Sequence, residues 1–255
     1  MDEEYFEWID LLSAVIEARE RFTFLELGAG YGRWSIRAAA AARQFGIPTI
    51  RLCCVEAEPT HFEWLRQTLI DNDLDPDAHL LRCAAVCSQR GLALFEVSTS
   101  GGALRFAPGA FYGQRVLEPP DAPTKSRARN MIRTAGARVL RIEVAPVTTV
   151  AAVTLGELAE SMSRIDLIDL DLQGSELDVM ASAPDVLTEK VRRLHIGTHS
   201  KDIERGLREH LGGLGWHCTA DYGCSTTAQT PYGPVTFGDG VQSWLNPRLK
   251  CVELK

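Results

Sequence analysis

The 255-residue chain lacks the features that mark nucleic-acid-binding, membrane and secreted proteins. Its net charge is −7, so no overall positive field would draw it to phosphates. No long apolar run could span a membrane, and Met1 opens an acidic segment without the basic residues of a secretion signal. These absences predict a cytoplasmic protein that binds neither nucleic acid nor membrane.

The cysteine spacing of a disulfide scaffold or a zinc site is also missing. The chain has seven cysteines, an odd number, and four of them fall within or beside predicted strands. These four are expected to be buried free thiols: Cys53, Cys54, Cys83 and Cys87. With 45% hydrophobic and 24% charged residues, no internal repeat and no low-complexity tract, the composition predicts one globular domain over residues 1–255.

The most informative stretch is FLELGAGYGRW, residues 24–34. An apolar strand near 22–27 contains Glu26 close to its end, and a helix is predicted near 33–44. Three glycines join the strand to the helix: Gly28, Gly30 and Gly32. Because glycine allows a sharp turn and a close approach of backbone to ligand, this pattern predicts a nucleotide-cofactor loop. The dinucleotide fingerprint needs a glycine where Arg33 stands, which argues against NAD.

The carboxylates beside this loop indicate which cofactor it would hold. Glu26 would favour a ligand with an ammonium or sulfonium group, and S-adenosylmethionine carries both. A second predicted strand, near 49–55, is followed by Glu56, whose carboxylate can accept hydrogen bonds from both ribose hydroxyls of an adenosine. Either residue alone could be an ordinary strand-end carboxylate, but together with the glycines they predict an S-adenosylmethionine site.

Strand-like and helix-like segments alternate along the chain, which predicts a parallel sheet. The further strands are expected near 79–86, 92–97, 139–144, 165–171 and 192–197. The further helices are expected at the N-terminus (1–20), near 60–71, near 154–162, from Ser175 and over 202–214. The order breaks in a stretch rich in glycine, proline and serine, about 98–137, which is interpreted as a lid-like insertion or a disordered loop.

The segment 115–141 is locally basic in an acidic chain. Its cations include Lys125, Arg127, Arg129, Arg133 and Arg138, against only Glu118 and Asp121. It could meet an anionic substrate or a partner subunit, or it could be a solvated mobile loop.

These motifs resemble the FkbM family of S-adenosylmethionine-dependent methyltransferases. Residues 26–32 are similar to the family's cofactor loop, 55–59 to its second-strand signature and 84–86 to its third-strand segment. The most diagnostic match is DLQGSE, residues 171–176, which resembles the family's aspartate-x-glutamine-glycine-x-glutamate run. One departure concerns the fifth strand, which in the family often ends with a glutamate; here the run GTHS offers His199 instead.

The resemblance implies a class I methyltransferase (Rossmann-like) fold, with a seven-stranded, mostly parallel sheet, helices on both faces and a reversed final hairpin. It implies O-methylation of a hydroxyl on a small molecule such as a sugar or natural product. N-methylation and S-adenosylmethionine binding without turnover are the alternatives, and a homo-oligomer stays open. The cofactor-binding residues it points to are Glu26, Gly28, Gly30, Tyr31, Gly32, Glu56, Ala84 and Gln173.

Asp171 and His199 are the catalytic candidates. Both are predicted at the carboxyl ends of neighbouring strands, where ligands bind in open α/β sheets, and histidine has a pKa suited to a general base. Asp171 could instead cap a helix or orient Gln173, and His199 could cap the helix that follows it. His195, inside an apolar strand, is interpreted as a core histidine with a satisfied hydrogen bond.

A divalent-metal site is kept as the second hypothesis. Asp169, Asp171 and His199 could supply its oxygen and imidazole ligands. No dense local ligand motif supports these three residues, so no metal is expected.

Overall fold

The computed structural model describes residues 4–97, 114–120 and 147–249. The strands, in chain order, are β1 (Arg21–Leu27), β2 (Thr49–Glu56), β3 (Leu80–Cys83), β4 (Ala85–Val86), β5 (Gly91–Glu96), β6 (Val116–Glu118), β7 (Val147–Val153), β8 (Leu167–Leu170), β9 (Arg193–Thr198), β10 (His217–Tyr222), β11 (Thr226–Thr230), β12 (Gly233–Phe237) and β13 (Gly240–Leu245). The helices are α1 (Glu4–Glu17), α2 (Arg33–Gln44), α3 (Pro59–Asp71), α4 (Leu155–Leu158), α5 (Glu176–Ala181), α6 (Pro184–Lys190) and α7 (Lys201–Gly213), with a 3₁₀ turn at Pro76–Ala78.

Seven strands form the central sheet in the order β10-β13-β9-β8-β1-β2-β3. β1 pairs in parallel with β2 and β8, whereas β13 is antiparallel to both β9 and β10. The prediction of a seven-stranded, mostly parallel sheet with a reversed final hairpin is therefore confirmed. From β1 the chain first adds strands on one side and later returns to β8 on the other. Ligands bind outside the carboxyl ends of the strands at such a switch point.

β1 lies at the centre of the sheet because its side chains are apolar on both faces. The six residues from Phe22 to Leu27 are all buried. Phe22 and Phe24 pack with residues of α1 and α2, whereas Leu25 and Leu27 pack with residues of α5 and α7. Each such buried side chain stabilises the fold by about 2 kcal/mol. Helices thus cover both faces of the sheet, as predicted.

Polar and apolar contacts hold α1, which corresponds to the helix predicted over 1–20, against the sheet. Asp10 is buried, lies 2.9 Å from Nδ1 of His195 on β9, and accepts a hydrogen bond from the Ser243 hydroxyl on β13. The Phe6 ring packs on Phe237 of the β11–β12 hairpin, with ring centroids 5.8 Å apart. These contacts fix the orientation of α1 on the sheet.

Several element boundaries differ from the predictions. The strand expected over 79–86 divides at Ala84, because Ala84 N–H still donates to the Glu56 carbonyl (2.9 Å) while β4 pairs with β7 in a second sheet, of order β4-β7-β5-β6. The helix expected near 154–162 is α-helical only over α4. The helix predicted from Ser175 ends before Pro184, where the proline starts α6 instead.

Part of the predictions lies outside the described residues. This applies to the strand expected near 139–144 and to the basic residues Lys125, Arg127, Arg129, Arg133 and Arg138. Of the stretch predicted as a lid, about 98–137, only residues 114–120 are described, and they include β6.

The described cysteines are free thiols. Cys53, Cys54 and Cys87 are buried as predicted, but the prediction for Cys83 is wrong. β3 is the edge strand of the central sheet, and Cys83 on it is exposed. Among the described helices, none combines the length and the apolar character that a membrane crossing requires.

Candidate active site

A cavity of about 360 Å³ lies at the carboxyl ends of β1, β2 and β8, next to the switch point of the sheet. Its size falls in the range of small-molecule and cofactor sites. Of the cofactor-binding residues predicted from the sequence, all but one line it: Glu26, Gly28, Gly30, Tyr31, Glu56, Ala84 and Gln173. The fold therefore brings together residues that are up to 147 positions apart in the chain.

The glycine loop is packed against its neighbours so closely that its conformation requires glycine. Gly28 has φ 90, its N–H donates to the Val55 carbonyl (3.0 Å), and a Cβ there would overlap the carbonyl oxygen of Asp171. Gly32 is the predicted residue that does not line the cavity. It is the N-cap of α2 with φ 81, and a Cβ there would overlap Leu65. Its function in this structure is to start the helix.

Glu26 anchors the first turn of α2. Its carboxylate accepts hydrogen bonds from the backbone N–H of Trp34 (3.2 Å) and Ser35 (2.9 Å), and from the Ser35 hydroxyl. Burial and the charge of Asp169 raise its pKa to about 8, against the lowering effect of these hydrogen bonds. At neutral pH the side chain is largely uncharged, which weakens the attraction that the sequence predicted for a sulfonium or ammonium group.

Glu56 links the glycine loop to the start of α3. Its carboxylate accepts from Gly30 N–H and from Glu58 N–H, both at 2.7 Å. Burial raises its pKa to about 7, while those backbone hydrogen bonds act in the opposite direction. The carboxyl group is therefore in place at the cavity wall, with a charge that changes near neutral pH.

Asp171 and His199 lie side by side at the carboxyl ends of β8 and β9. The Asp171 side chain is half exposed in the cavity, and its Oδ1 is 3.3 Å from Nε2 of His199. Nδ1 of His199 is 2.7 Å from the carboxylate of Glu176, which is completely buried and also accepts from the backbone N–H of Gly174 (3.0 Å). His199 is not among the residues that line the cavity.

The environment of His199 makes it a cation. Burial lowers its pKa, but hydrogen bonds and charge interactions with Asp171 and Glu176 outweigh burial and raise the pKa to about 10. The expectation that its pKa suits a general base at neutral pH is therefore wrong. The amide nitrogen of Gln173 lies 2.8 Å from Nε2 of His199 and fits a neutral ring only. The same amide nitrogen donates to Oδ1 of Asp171 (2.8 Å), so beside a charged ring the amide and the imidazolium both donate to Asp171.

Replacing His199 with glutamine is expected to lower the free energy of unfolding by about 3 kcal/mol near pH 6, because buried Glu176 loses its cationic partner. The folded-state pKa of about 10 lies above the unfolded-state value, so the stabilisation is complete below about pH 6.5 and is lost as pH rises through 10. Urea unfolding of both proteins near pH 6 and near pH 10.5 tests this. An equal difference at both values would contradict the assignment of the charge.

Glu176 is the buried partner of His199, a pairing that the sequence did not reveal. The sequence indicated only that it lies in the first turn of a helix. Its pairing with His199 depends on the contact between β8, α5 and β9, and the DLQGSE run was the signal that could have pointed to it. Asp239, Gly240 and Val241 also line the cavity, whereas Trp244 and Asn246 on the same hairpin are buried away from it.

The metal site hypothesised from Asp169, Asp171 and His199 does not form. Asp169 lies with Glu7 and His195, whereas Asp171 lies with Glu176 and His199. The two groups take their other ligands from different places: Glu7 is on α1 and His195 on β9, whereas Glu176 is on α5 and His199 follows β9. His195 is buried and its Nδ1 is bonded to Asp10, as expected of a core histidine, but the residue also lines the cavity.

The sequence profile of the methyltransferase FkbM domain matches residues 26–210. The chain belongs to the FkbM methyltransferase family. A curated protein of Jannaschia sp. (strain CCS1) named "Putative methyltransferase" is 31% identical over 245 residues, which cover 95% of this chain and 79% of that protein. The residues matched by the profile include every predicted cofactor-binding and catalytic residue.

The solved structure of an FkbM methyltransferase shows the same fold. The methyltransferase FkbM from Methylobacillus flagellatus KT has a TM-score of 0.51 and 10% identity, over 89% of this chain and 44% of that one. The precorrin-6y C5,15-methyltransferase from Geobacter metallireducens GS-15 has a TM-score of 0.45 and 11% identity, over 93% of this chain and 85% of that one. The chain is thus a methyltransferase with a class I, Rossmann-like fold, and its family and fold imply S-adenosylmethionine as the methyl donor.

Proposed function

We propose that this FkbM-family methyltransferase transfers a methyl group from S-adenosylmethionine to a hydroxyl oxygen of a small molecule, such as a sugar or a natural product. The observation that carries the proposal is the position of Asp171. Its half-exposed carboxylate stands at the cavity, next to the cationic His199 and on the strand that flanks the glycine loop. A carboxylate in that position can accept the proton that a hydroxyl loses on methylation.

The residues present fit the cofactor. Glu56 offers a carboxylate for ribose hydroxyls, Gly28 and Gly30 expose backbone at the cavity wall, and the small side chain of Ala84 also lines the cavity. When bound, S-adenosylmethionine supplies an electrophilic methyl group. The remaining tasks belong to the protein, which has to aim the acceptor oxygen and remove its proton.

Asp171 is assigned the role of general base and His199 that of a positioning residue. The imidazolium holds Asp171 from one side while its other nitrogen is bonded to buried Glu176, so the carboxylate cannot turn away from the cavity without breaking an ion pair. The positive charge near the acceptor also stabilises negative charge that develops on its oxygen. Gln173 donates to Asp171 in the present arrangement (2.8 Å) and completes this support.

An acceptor screen tests the reaction itself. The purified protein is incubated with S-adenosylmethionine and panels of sugars and hydroxylated natural products, and formation of S-adenosylhomocysteine is measured. Turnover with hydroxyl acceptors supports the proposal. A protein that binds S-adenosylmethionine saturably and produces no S-adenosylhomocysteine with any acceptor would instead be a non-catalytic binding protein.

The charge of the cavity favours N-methylation as the second candidate. Seven carboxyl groups line it, and these are Glu4, Glu7, Glu26, Glu56, Asp169, Asp171 and Asp239. Glu26 is largely uncharged and Glu56 is partly ionised at neutral pH, and the carboxyl groups that are ionised would attract an acceptor that carries an amine. Matched acceptors that differ only in hydroxyl against amino group distinguish the two reactions, because the amine needs no strong base and should be methylated almost as fast when Asp171 is replaced.

The affinity for the adenosine part of the cofactor is expected to rise with pH. The pKa of Glu56 is about 7 in the folded protein, and only its ionised form accepts hydrogen bonds from both ribose hydroxyls. The ionised fraction increases roughly tenfold between about pH 6 and pH 8, so the dissociation constant should fall by up to roughly tenfold.

Calorimetric titration with 5′-methylthioadenosine measures this effect, since that ligand has the ribose and adenine of the cofactor and no ammonium group of its own to titrate. Glu56→Gln is the control and should bind more weakly, with little dependence on pH. A pH dependence that survives the substitution would show that Glu56 is not the group responsible.

A further inference from the structure

A second group of metal-ligating side chains lies in the cavity, apart from Asp171 and His199. Glu7 of α1, Asp169 of β8 and His195 of β9 each place a ligand atom within 4.8 Å of the others. All three line the cavity. They come from elements far apart in the chain, so no local sequence motif indicates their proximity.

His195 has the hydrogen-bonding arrangement that is typical of metal-binding histidines, with one ring nitrogen bonded to a carboxylate. It is 4% exposed, and its Nδ1 is 2.9 Å from the carboxylate of Asp10, which in turn accepts from the Ser243 hydroxyl. Nε2 is left for the cavity, and in the part of the chain that the structure describes no side chain forms a hydrogen bond with it. A metal-bound histidine almost always donates its other ring N–H to a carboxylate or carbonyl in this way.

The two carboxyl groups require a positive charge between them. Glu7 forms a hydrogen bond with Asp169. Two carboxylates in contact at a buried site repel each other, so either a proton or a cation has to be present. A proton on His195, or one shared by Glu7 and Asp169, joins two of the three groups, whereas a cation contacts all three.

We propose that Glu7, Asp169 and His195 bind a divalent transition-metal cation at the cavity wall. One imidazole and two carboxylates suit Mn²⁺, Fe²⁺, Co²⁺ or Zn²⁺ better than Ca²⁺. Three protein ligands leave coordination positions open towards the cavity, where oxygen atoms of a bound molecule can complete the shell. The ion also ties α1 to the central sheet. This inference does not depend on which acceptor is methylated.

Titration of chelator-treated protein with Mn²⁺ tests the site without any activity assay. Loss of the electron paramagnetic resonance signal of free Mn²⁺ reports binding. The wild-type protein is expected to bind one ion saturably, and Glu7→Gln and Asp169→Asn are each expected to weaken binding at least about tenfold. Asp239→Asn removes a carboxylate of the same cavity that does not belong to this group of three, and it should keep the wild-type affinity for Mn²⁺.

Circular dichroism establishes that each variant is folded. If Asp169→Asn does not fold, Glu7→Gln alone tests the site, because Glu7 is on a half-buried position of a helix. No saturable Mn²⁺ binding by the wild-type protein would overturn the proposal, as would equal affinities of wild type and Glu7→Gln. If the wild-type protein binds no Mn²⁺ and the Glu7 and Asp169 variants bind S-adenosylmethionine more weakly, the two carboxylates would instead contact the ammonium group of S-adenosylmethionine. The methyltransferase function would stand in that case.

Discussion

Replacing Gly28 with alanine is expected to destabilise the protein by about 4 kcal/mol and to abolish binding of S-adenosylmethionine. Gly28 has φ 90, a conformation that costs an alanine about 1–2 kcal/mol. The added Cβ would also overlap the carbonyl oxygen of Asp171, which belongs to rigid backbone and forces a shift that costs roughly a further 1–3 kcal/mol. Urea unfolding measures the first effect, and calorimetric titration of the folded variant measures the second.

Gly46 provides a matched control for this substitution. It also has a left-handed backbone, with φ 70, but no atom lies within 4 Å of the place where its Cβ would be. Alanine there should cost only about 1 kcal/mol and leave cofactor binding unchanged. If both variants lost the same stability, the close approach between the glycine loop and β8 would not be the cause. If Gly28→Ala bound the cofactor normally, the loop would not form the cofactor site.

Replacing Asp171 with asparagine is expected to lower kcat by about 10²–10⁴-fold on a hydroxyl acceptor, while the dissociation constant for S-adenosylmethionine changes by less than about threefold. Asparagine has the same shape as aspartate but cannot accept the proton. An effect on kcat with little effect on cofactor binding is the sign of a group that acts in the transition state. Rates of S-adenosylhomocysteine formation with the acceptor found by screening measure it.

Asp239→Asn is the control for Asp171→Asn, because Asp239 is also half exposed at the cavity and lies 3.8 Å from His199. It should retain most of the rate. Loss of less than about tenfold in Asp171→Asn would remove Asp171 as the base and favour N-methylation. Equal losses of kcat in both variants would show that the rate depends on the total charge of the cavity and not on the position of Asp171.

Local sequence patterns predicted the parts of the site that are built from neighbouring residues. The apolar run of β1, the glycines after it and Glu56 at the end of β2 each follow from a few adjacent positions, because a buried strand and a tight turn impose their demands locally. The DLQGSE run was recognisable for the same reason. The alternation of strands and helices predicted a parallel sheet, and the resemblance to the FkbM family added the seven strands and the reversed final hairpin.

The parts that could not be predicted depend on contacts between distant residues. The division of the predicted strand at Ala84 follows from pairing of β4 with β7, more than 60 positions later in the chain. The raised pKa of His199 follows from its contacts with Asp171 and Glu176, which outweigh its own burial, and the grouping of Glu7 with Asp169 follows from the way α1 packs on the sheet. No residue type or spacing specifies how far a carboxylate is buried or which side chain faces it.

The central claim is that this cavity binds S-adenosylmethionine for methyl transfer. Calorimetric titration of the wild-type protein with S-adenosylmethionine, S-adenosylhomocysteine and NADH tests it most directly, with Gly28→Ala and Gly46→Ala as paired variants. The account predicts saturable one-to-one binding of both adenosyl ligands by wild type and Gly46→Ala, none by Gly28→Ala, and no binding of NADH. Binding of NADH without binding of either adenosyl ligand would contradict it.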